Sequence, residues 1–191
     1  MRLTGAVLDA VTEWLPPNED PDRPQIQLAT VDAAGRPDVR TVLLSGWTPD
    51  GFSFHTDATS RKAQQLDQQP AVAILAVWPG FTRQLVILGV AEREEPALAN
   101  AAFARRSPYL QQLAWQNSHE FALLPYADRI EQWRAFRAEH AVEPIPVAPT
   151  WSGYVVRPDR LTFWRSDPDT ASHRLEYTAD GDTWVMTHLP G

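Results

Sequence analysis

Hydrophobic positions change from a helical spacing near the start of the chain to a strand-like alternation soon afterwards. Within residues 1–15, apolar residues recur every three to four positions, which is the spacing of one helix face, and Pro16-Pro17 ends that helix. Residues 18–25 contain two prolines and three acids, so they predict a polar linker that leads into the first strand. The helix face consists of Leu3, Val7, Val11 and Trp14.

Short apolar runs separated by turn residues predict that most of the remaining chain is β structure. Thr48-Pro49-Asp50-Gly51 predicts a turn, because Pro presets φ and Gly tolerates positive φ, and Pro79-Gly80 predicts a hairpin. Residues 59–69 predict one short helix with Ser60 as its N-cap. The predicted strands cover residues 26–30, 39–47, 51–56, 71–78, 82–93, 151–157, 161–164, 174–178 and 183–189.

A helical insertion at residues 96–140 separates two groups of strands. Because no helix separates most successive strands, the pattern predicts a mainly β, α+β fold, a small antiparallel barrel or sandwich and not a parallel sheet. We expect a single domain over residues 1–191, closed by strands in residues 151–191. The predicted helical pieces of the insertion are residues 97–106, 108–115 and 126–140.

Charge and composition narrow the classes of function. The 17 Lys and Arg against 24 Asp and Glu give a formal charge of −7, which repels phosphate backbones and anionic lipid, so we expect no nucleic-acid and no membrane partner. The chain has no cysteine, which removes disulfides and thiolate chemistry. Its first residues lack the apolar core of a secretion signal, so we expect a cytoplasmic protein.

The strongest candidate site is a group of basic and hydroxyl side chains around the short predicted helix. Cationic heads, hydroxyls and the free amides of a helix start form a site that is complementary to a dianionic phosphate. The alternative is a solvated helix start with ordinary surface charges. The candidate residues are Arg40, Thr56, Ser60, Arg61 and Lys62, the last being the one lysine of the chain.

Other candidates lie at strand ends. Gln84 opens an apolar strand, where its amide could pair with the imide edge of a ring, although a sheet-edge residue in water has the same pattern. Trp164 and Arg174 flank a polar loop and could wall a cofactor, although Trp is more often core. The five histidines show no metal-binding spacing, so we expect no metal site and place these side chains at the surface or at helix caps.

Nine segments spread over most of the chain form one ordered set: Leu28–Asp32, Arg40–Leu44, Gly51–Thr56, Ser60–Ala63, Arg83-Gln84, Ala114-Trp115, Trp151–Tyr154, Phe163-Trp164 and Arg174. In order and spacing, these segments resemble the pyridoxamine 5′-phosphate oxidase-like flavoproteins. That resemblance implies an antiparallel split β-barrel, a homodimer with FMN at its interface, and hydride transfer through the flavin to or from a small molecule.

The resemblance also implies a set of flavin-binding residues. Arg40, Arg61 and Lys62 would hold the phosphate, and Trp164 and Arg174 would complete the ring pocket from the partner subunit. The ribityl chain and ring would be lined by Thr41, Val42, Leu43, Ser45, His55, Thr56, Ser60 and Gln84.

The chain departs from the family where the substrate phosphate binds. Ser45 stands where the family has a Lys, and Ala102, Arg106 and Leu110 stand where it has Tyr, Arg and Ser, so only Arg106 is retained as a substrate ligand. Equal loop length places Thr170 and Ser172 at the family's substrate-facing Arg and His, whereas a gap would move residues 173–175 there. The family's Gln-Ser flavin pair falls on His119-Glu120 or near Asn117-Ser118.

Three functions follow from these observations. The first is an FMN-dependent oxidoreductase whose substrate is not pyridoxine or pyridoxamine phosphate. The second is a true pyridoxamine phosphate oxidase whose ligands have moved to Arg105, Arg106 and Arg165. The third is a flavin carrier or sensor without turnover.

Overall fold

The computed structural model describes residues 1–142 and 144–191. Within these residues the helices are α1 Gly5–Trp14, α2 Arg61–Gln68, α3 Pro96–Ala104, α4 Pro108–Gln116, α5 His119–Leu123 and α6 Tyr126–Glu139. The strands are β1 Gln25–Val31, β2 Pro37–Leu43, β3 Gly46–Thr48, β4 Gly51–Asp57, β5 Ala71–Val77, β6 Arg83–Arg93, β7 Trp151–Arg165, β8 His173–Asp180 and β9 Thr183–Leu189.

The strands form one antiparallel sheet in the order β2-β1-β5-β6-β7-β4-β3, with β8 added to β7 and β9 to β8. The first half of β7 pairs with β4, its second half pairs with β8, and β6 pairs along its length. Strand β7 therefore has a different second neighbour along each half, and the sheet curls into an open half-barrel. This curled antiparallel α+β fold confirms the predicted fold class.

Alternation along the strands separates a buried face from an outer face. Ile26, Leu28 and Thr30 of β1 are buried, and the apolar side of α1, with Val7 and Val11, packs into the same core. The core burial of α1 confirms the helix predicted within residues 1–15. Among the described residues, no helix combines the length and apolar character that a bilayer crossing requires.

The outer face of the sheet is apolar and uncovered in a single chain. Val39, Ala29, Ala73 and Leu88 lie side by side across four strands, and Val39 is 63% exposed. Beside this row, Gln27 has a side-chain oxygen that is buried without a hydrogen-bond partner.

Two predicted boundaries are wrong. The strand predicted at 39–47 is divided after Leu43. The Leu44 amide still donates to the Pro24 carbonyl in the β1–β2 register, but Pro24 has no N–H to donate in return, and the Ser45 amide donates to the Ser53 carbonyl of β4 instead. The strands predicted at 151–157 and 161–164 are one strand, β7, whose Pro158 faces a register shift in β6.

Candidate functional site

The predicted cations meet where β2 and β4 approach the start of α2. The Arg40 guanidinium donates to Thr30 Oγ1 at 2.6 Å and to Gln65 Oε1 at 3.0 Å, and it forms an ion pair with Asp38 at 2.9 Å. Its position on β2 beside Leu28 turns it toward α2, which carries Gln65. Arg40 is therefore fixed, with its charge held at the side of the helix start.

Lys62 is the half-buried member of this cluster. Its ammonium donates to Thr56 Oγ1 at 2.9 Å, and Thr56 lies 3.4 Å from the Ser60 hydroxyl. Burial, together with the positive charge of Arg40, lowers the pKa of Lys62, and Asp57 opposes that shift. A desolvated ammonium beside a second cation is an environment that an anion would stabilise.

The remaining members of the cluster are available for a ligand. Ser60 precedes α2, but its side chain makes no capping hydrogen bond to the helix. Arg61 is 81% exposed and approaches Asp38 only to 3.8 Å. Two cations, two hydroxyls and the first amides of an eight-residue helix are thus grouped with Arg40, and this donor set fits the phosphate of FMN.

A cavity of about 540 Å³ lies between the β2–β3 connection, the linker after α1, and the end of α3. All four positions that correspond to the family's substrate-phosphate ligands line this cavity. Arg106 is retained there, and Ser45, Ala102 and Leu110 replace the other three ligands. Arg105 and Arg23 also line it. Arg23 has one terminal nitrogen buried without a partner, a signal that the linker sequence did not reveal.

Behind Ser45 is a hydrogen-bonded chain of three side chains. Ser45 Oγ lies 2.7 Å from His55 Nδ1, and His55 Nε2 lies 2.9 Å from Glu94 Oε2. The side chains of His55 and Glu94 are only 2% and 9% exposed. The prediction that the histidines lie at the surface or at helix caps is therefore wrong for His55, which β4 turns into the interior opposite Gly153.

Burial sets the protonation of this chain. It lowers the pKa of His55 to about 4, with Arg106 and Arg105 acting in the same direction. It raises the pKa of Glu94, and Arg105 opposes that shift. Near neutral pH, His55 is thus an uncharged imidazole, and its two ring nitrogens have different roles.

Arg106 is held over an aromatic ring at the edge of the cavity. Its guanidinium lies 4.4 Å from the ring centroid of Trp151, and burial lowers its pKa to about 10. Trp151 is fixed in turn by a 2.8 Å hydrogen bond from Nε1 to the Ala99 carbonyl. Arg106 remains a cation at neutral pH, positioned to bind an anionic group of a ligand.

The residues predicted to face the flavin ring form a separate row. Gln84, Trp164 and Arg174 are directly opposed across β6, β7 and β8, and the Trp164 ring packs against Phe81 at 5.1 Å. In the described part of the chain, no hydrogen bond or ion pair connects this row to the Lys62 cluster. The structure therefore places the predicted flavin residues in three groups: the Lys62 cluster, this row, and Leu43 and Ser45 at the cavity with His55 behind Ser45.

The other predicted positions have weaker support from geometry. Thr170 and Ser172 lie in the loop between β7 and β8, where Thr170 is exposed and Ser172 half-buried, and His173 at the start of β8 contacts Asp167 at 3.2 Å. Arg165 pairs with Glu13 at 2.7 Å and does not line the cavity. A second cavity, of about 530 Å³, places Ser118, His119 and Glu120 beside Asp57, the neighbour of Thr56.

Two protein-family models match this chain. Residues 9–141 match the family model described as pyridoxamine 5′-phosphate oxidase, and residues 151–190 match the pyridoxine 5′-phosphate oxidase C-terminal dimerisation region. The chain belongs to the pyridoxamine 5′-phosphate oxidase family. The resemblance inferred from the sequence is thereby confirmed.

Members of the pyridoxamine 5′-phosphate oxidase family from several bacteria are similar over most of the chain. A pyridoxine/pyridoxamine 5′-phosphate oxidase of Anaeromyxobacter dehalogenans is 38% identical over 165 residues, which are 85% of this chain and 82% of the relative. One from Salinispora arenicola is 35% identical over 172 residues, 88% of this chain and 77% of the relative.

Solved structures show the same fold. PhzG from Burkholderia lata, in complex with tetrahydrophenazine-1-carboxylic acid, has a TM-score of 0.78 and 27% identity, covering 88% of this chain and 83% of its own. An FMN-binding protein from Nostoc punctiforme, related to pyridoxamine 5′-phosphate oxidase, has a TM-score of 0.70 and 21% identity, covering 87% and 88%.

Proposed function

We propose that the protein is an FMN-dependent oxidoreductase that acts on a small anionic substrate other than pyridoxine or pyridoxamine phosphate. The observation that carries the proposal is the pairing of two features: a cation cluster at the start of α2 that fits the FMN phosphate, and a cavity in which Arg106 is the retained ligand. Bound FMN supplies hydride transfer at its ring.

Within this proposal, each cluster residue has a defined task. Arg61 and Lys62 bind the FMN phosphate, Arg40 adds its fixed charge, and the Thr56 and Ser60 hydroxyls complete the site. Gln84 pairs with the ring edge, and the β2 segment from Thr41 to Leu43, with Ser45, lines the ribityl chain and ring.

The cavity supports a change of substrate. A Ser in place of Lys, with Ala and Leu in place of two hydroxyl residues, removes one cation and two hydroxyls from the family's phosphate pocket. Since hydrogen bonds to charged groups contribute about 1.5 to 3 kcal/mol each, this loss corresponds to two or more orders of magnitude in phosphate affinity. The wall combines apolar side chains with three arginines and two carboxylates, Glu19 and Asp20, a balance that favours a singly charged anion on an apolar body over a dianionic phosphate.

A second candidate is a true pyridoxamine phosphate oxidase. The specific observation in its favour is that Arg23 and Arg105 line the same cavity as Arg106, with one Arg23 nitrogen buried and unpaired. Relocated arginines would then bind the substrate phosphate. Arg165 does not belong to that set, because it pairs with Glu13.

A homodimer accounts for the outer face of the sheet. The apolar row from Val39 to Leu88 needs cover, and the buried Gln27 oxygen needs a hydrogen-bond donor, that a single chain does not provide. The match to a dimerisation region over residues 151–190 supports the same arrangement. Trp164 and Arg174 would then complete the ring pocket of the second subunit.

The test begins with an absorbance spectrum of the purified protein and a titration with FMN. Anaerobic mixing with pyridoxine phosphate, pyridoxamine phosphate, reduced nicotinamide and aromatic carboxylates then follows flavin bleaching. Bleaching by a compound without phosphate supports the proposal, and rapid formation of pyridoxal phosphate favours the second candidate. A bound flavin that no compound reduces indicates a carrier or sensor, and failure to bind FMN defeats all three.

A further inference from the structure

The ionisation of Glu94 sets the hydrogen-bond polarity of the chain of Ser45, His55 and Glu94. With Glu94 ionised, the carboxylate can only accept, so the 2.9 Å contact places the proton on His55 Nε2, which donates it to Glu94 Oε2. In a neutral imidazole, Nδ1 is then the unprotonated nitrogen. Nδ1 must therefore accept the proton of the Ser45 hydroxyl across 2.7 Å.

This polarity determines what Ser45 offers to the cavity. Its single proton is committed to His55, so the hydroxyl oxygen presents only lone pairs to a ligand. The group opposite must be a hydrogen-bond donor, because an acceptor at that position would face another acceptor. The donor order from Ser45 through His55 to Glu94 is that of a hydrolytic triad, but the two ring nitrogens are exchanged, because the serine of a triad donates to Nε2 and its carboxylate accepts from Nδ1.

The surrounding packing is built around this chain. Gly153 lies opposite His55, and a β carbon at Gly153 would overlap the Glu94 carboxylate and come into tight contact, at 3.0 Å, with the His55 ring. The Glu94 amide also donates to the Gly153 carbonyl at 2.9 Å. The His55 ring stacks on Trp151, which lies beneath the Arg106 cation. The acceptor at Ser45 and the cation at Arg106 are thus positioned by one connected set of residues.

We propose that Ser45, oriented by His55 and Glu94, determines the specificity of the cavity. It selects small anionic ligands that carry a hydroxyl or amine donor, while Arg106 binds their negative group. The proposal deepens the proposed function and rests on it for the identification of the cavity as a substrate site. Ser45 contacts the ligand, and His55 and Glu94 are positioning residues.

The first test measures the tautomer directly. Nitrogen NMR of ¹⁵N-histidine-labelled protein saturated with FMN, with His55 assigned by its loss in His55→Gln, should show a protonated Nε2 and an unprotonated Nδ1 at pH 7. A protonated Nδ1 overturns the proposal, because Ser45 would then be free to donate. Gly153→Ala should remove the His55 signals of a protonated Nε2 and an unprotonated Nδ1, while the signals of the other histidines stay in place.

The second test compares ligands that differ only in the donor. In calorimetric titrations of the FMN-saturated protein, 3-hydroxybenzoate should bind about tenfold more tightly than 3-methoxybenzoate, a ratio equivalent to about 1.4 kcal/mol. Ser45→Ala should abolish this ratio and Ser45→Thr should restore it, whereas Arg106→Gln should weaken both ligands together. An unchanged ratio in Ser45→Ala, or no binding of either ligand to the unaltered protein, overturns the proposal.

The two proposals fail in different ways. If the protein does not retain FMN, the proposed function fails, but the tautomer and the ligand ratio are still measured on the protein without flavin. If FMN is retained and reduced while the ratio does not depend on Ser45, only the specificity proposal fails.

Discussion

The rings of His55 and Trp151 lie parallel, with 5.1 Å between their centroids and 2° between their planes. The same indole carries the Arg106 guanidinium at 4.4 Å. The Trp151 side chain, at the start of β7, therefore contacts both the His55 imidazole and the Arg106 guanidinium. Since the indole also donates to the Ala99 carbonyl, it connects the sheet to the helical insertion.

Trp151→Leu should lower the free energy of unfolding by about 3 kcal/mol, because the change removes the stack, the cation contact and part of the packing against Phe103. Trp151→Phe keeps an aromatic ring and loses chiefly the Nε1 hydrogen bond, so its loss should be about 1 kcal/mol. Urea unfolding followed by circular dichroism measures both. Equal losses in the two variants would show that the ring contacts contribute little.

The double substitution Arg61→Gln and Lys62→Gln should weaken FMN binding by at least a factor of about 100, because each lost charged hydrogen bond is worth roughly 1.5 to 3 kcal/mol. Quenching of FMN fluorescence on titration gives the dissociation constant. Arg134→Gln with Arg137→Gln is the matched control, since it removes two exposed cations from α6. Retention of FMN at the original affinity would remove the basis of the flavin site.

Local sequence signals predicted the positions of most elements. The helical spacing before Pro16, the alternation in β1 and the Pro79-Gly80 hairpin each depend on residues close in the chain, and the structure has an element at each place. The convergence of Arg40, Thr56 and Lys62 followed from the order of β2, β4 and α2. Helix α5 was missed because it has only five residues, although Ser118 caps it by accepting from the Phe121 amide.

Long-range partners explain what the sequence could not predict. Glu94 is 39 residues from His55 along the chain, and the sequence near His55 gives no indication that its partner is a buried carboxylate. Arg165 was a candidate ligand because of its charge, but its partner, Glu13, is 152 residues away on α1. Arg23 looked like part of a solvated linker, whereas its Nε donates to the Leu44 carbonyl beside the cavity.

Val39→Glu should convert the proposed homodimer into a monomer. Val39 is exposed in the single chain, so the carboxylate costs little within the subunit, but it would be buried without a partner in an interface over the outer sheet face. Sedimentation velocity measures the change, and FMN affinity should fall with it if the partner's Trp164 completes the pocket. Val142→Glu, at a valine that is 91% exposed, is the control. A Val39→Glu protein that remains dimeric would place the interface elsewhere.

His55 should make the protein less stable as the pH falls from about 6.5 to about 4. The unfolded imidazole, with its ordinary pKa of 6.5, takes up a proton in this range, whereas the folded one stays neutral until about pH 4. Because the unfolded state binds more protons, the free energy of unfolding decreases on acidification, by up to about 3 kcal/mol for this residue alone. The raised pKa of Glu94 acts in the opposite sense, because the folded carboxylate binds a proton at a higher pH than the unfolded one does.

Urea unfolding at a series of pH values measures this effect. The free energy of unfolding should change less steeply with pH in His55→Gln than in the unaltered protein, and just as steeply in His188→Gln, whose side chain is exposed. The same slope in all three proteins would mean that the pKa of His55 is the same in the folded and unfolded states, which contradicts its lowering by burial.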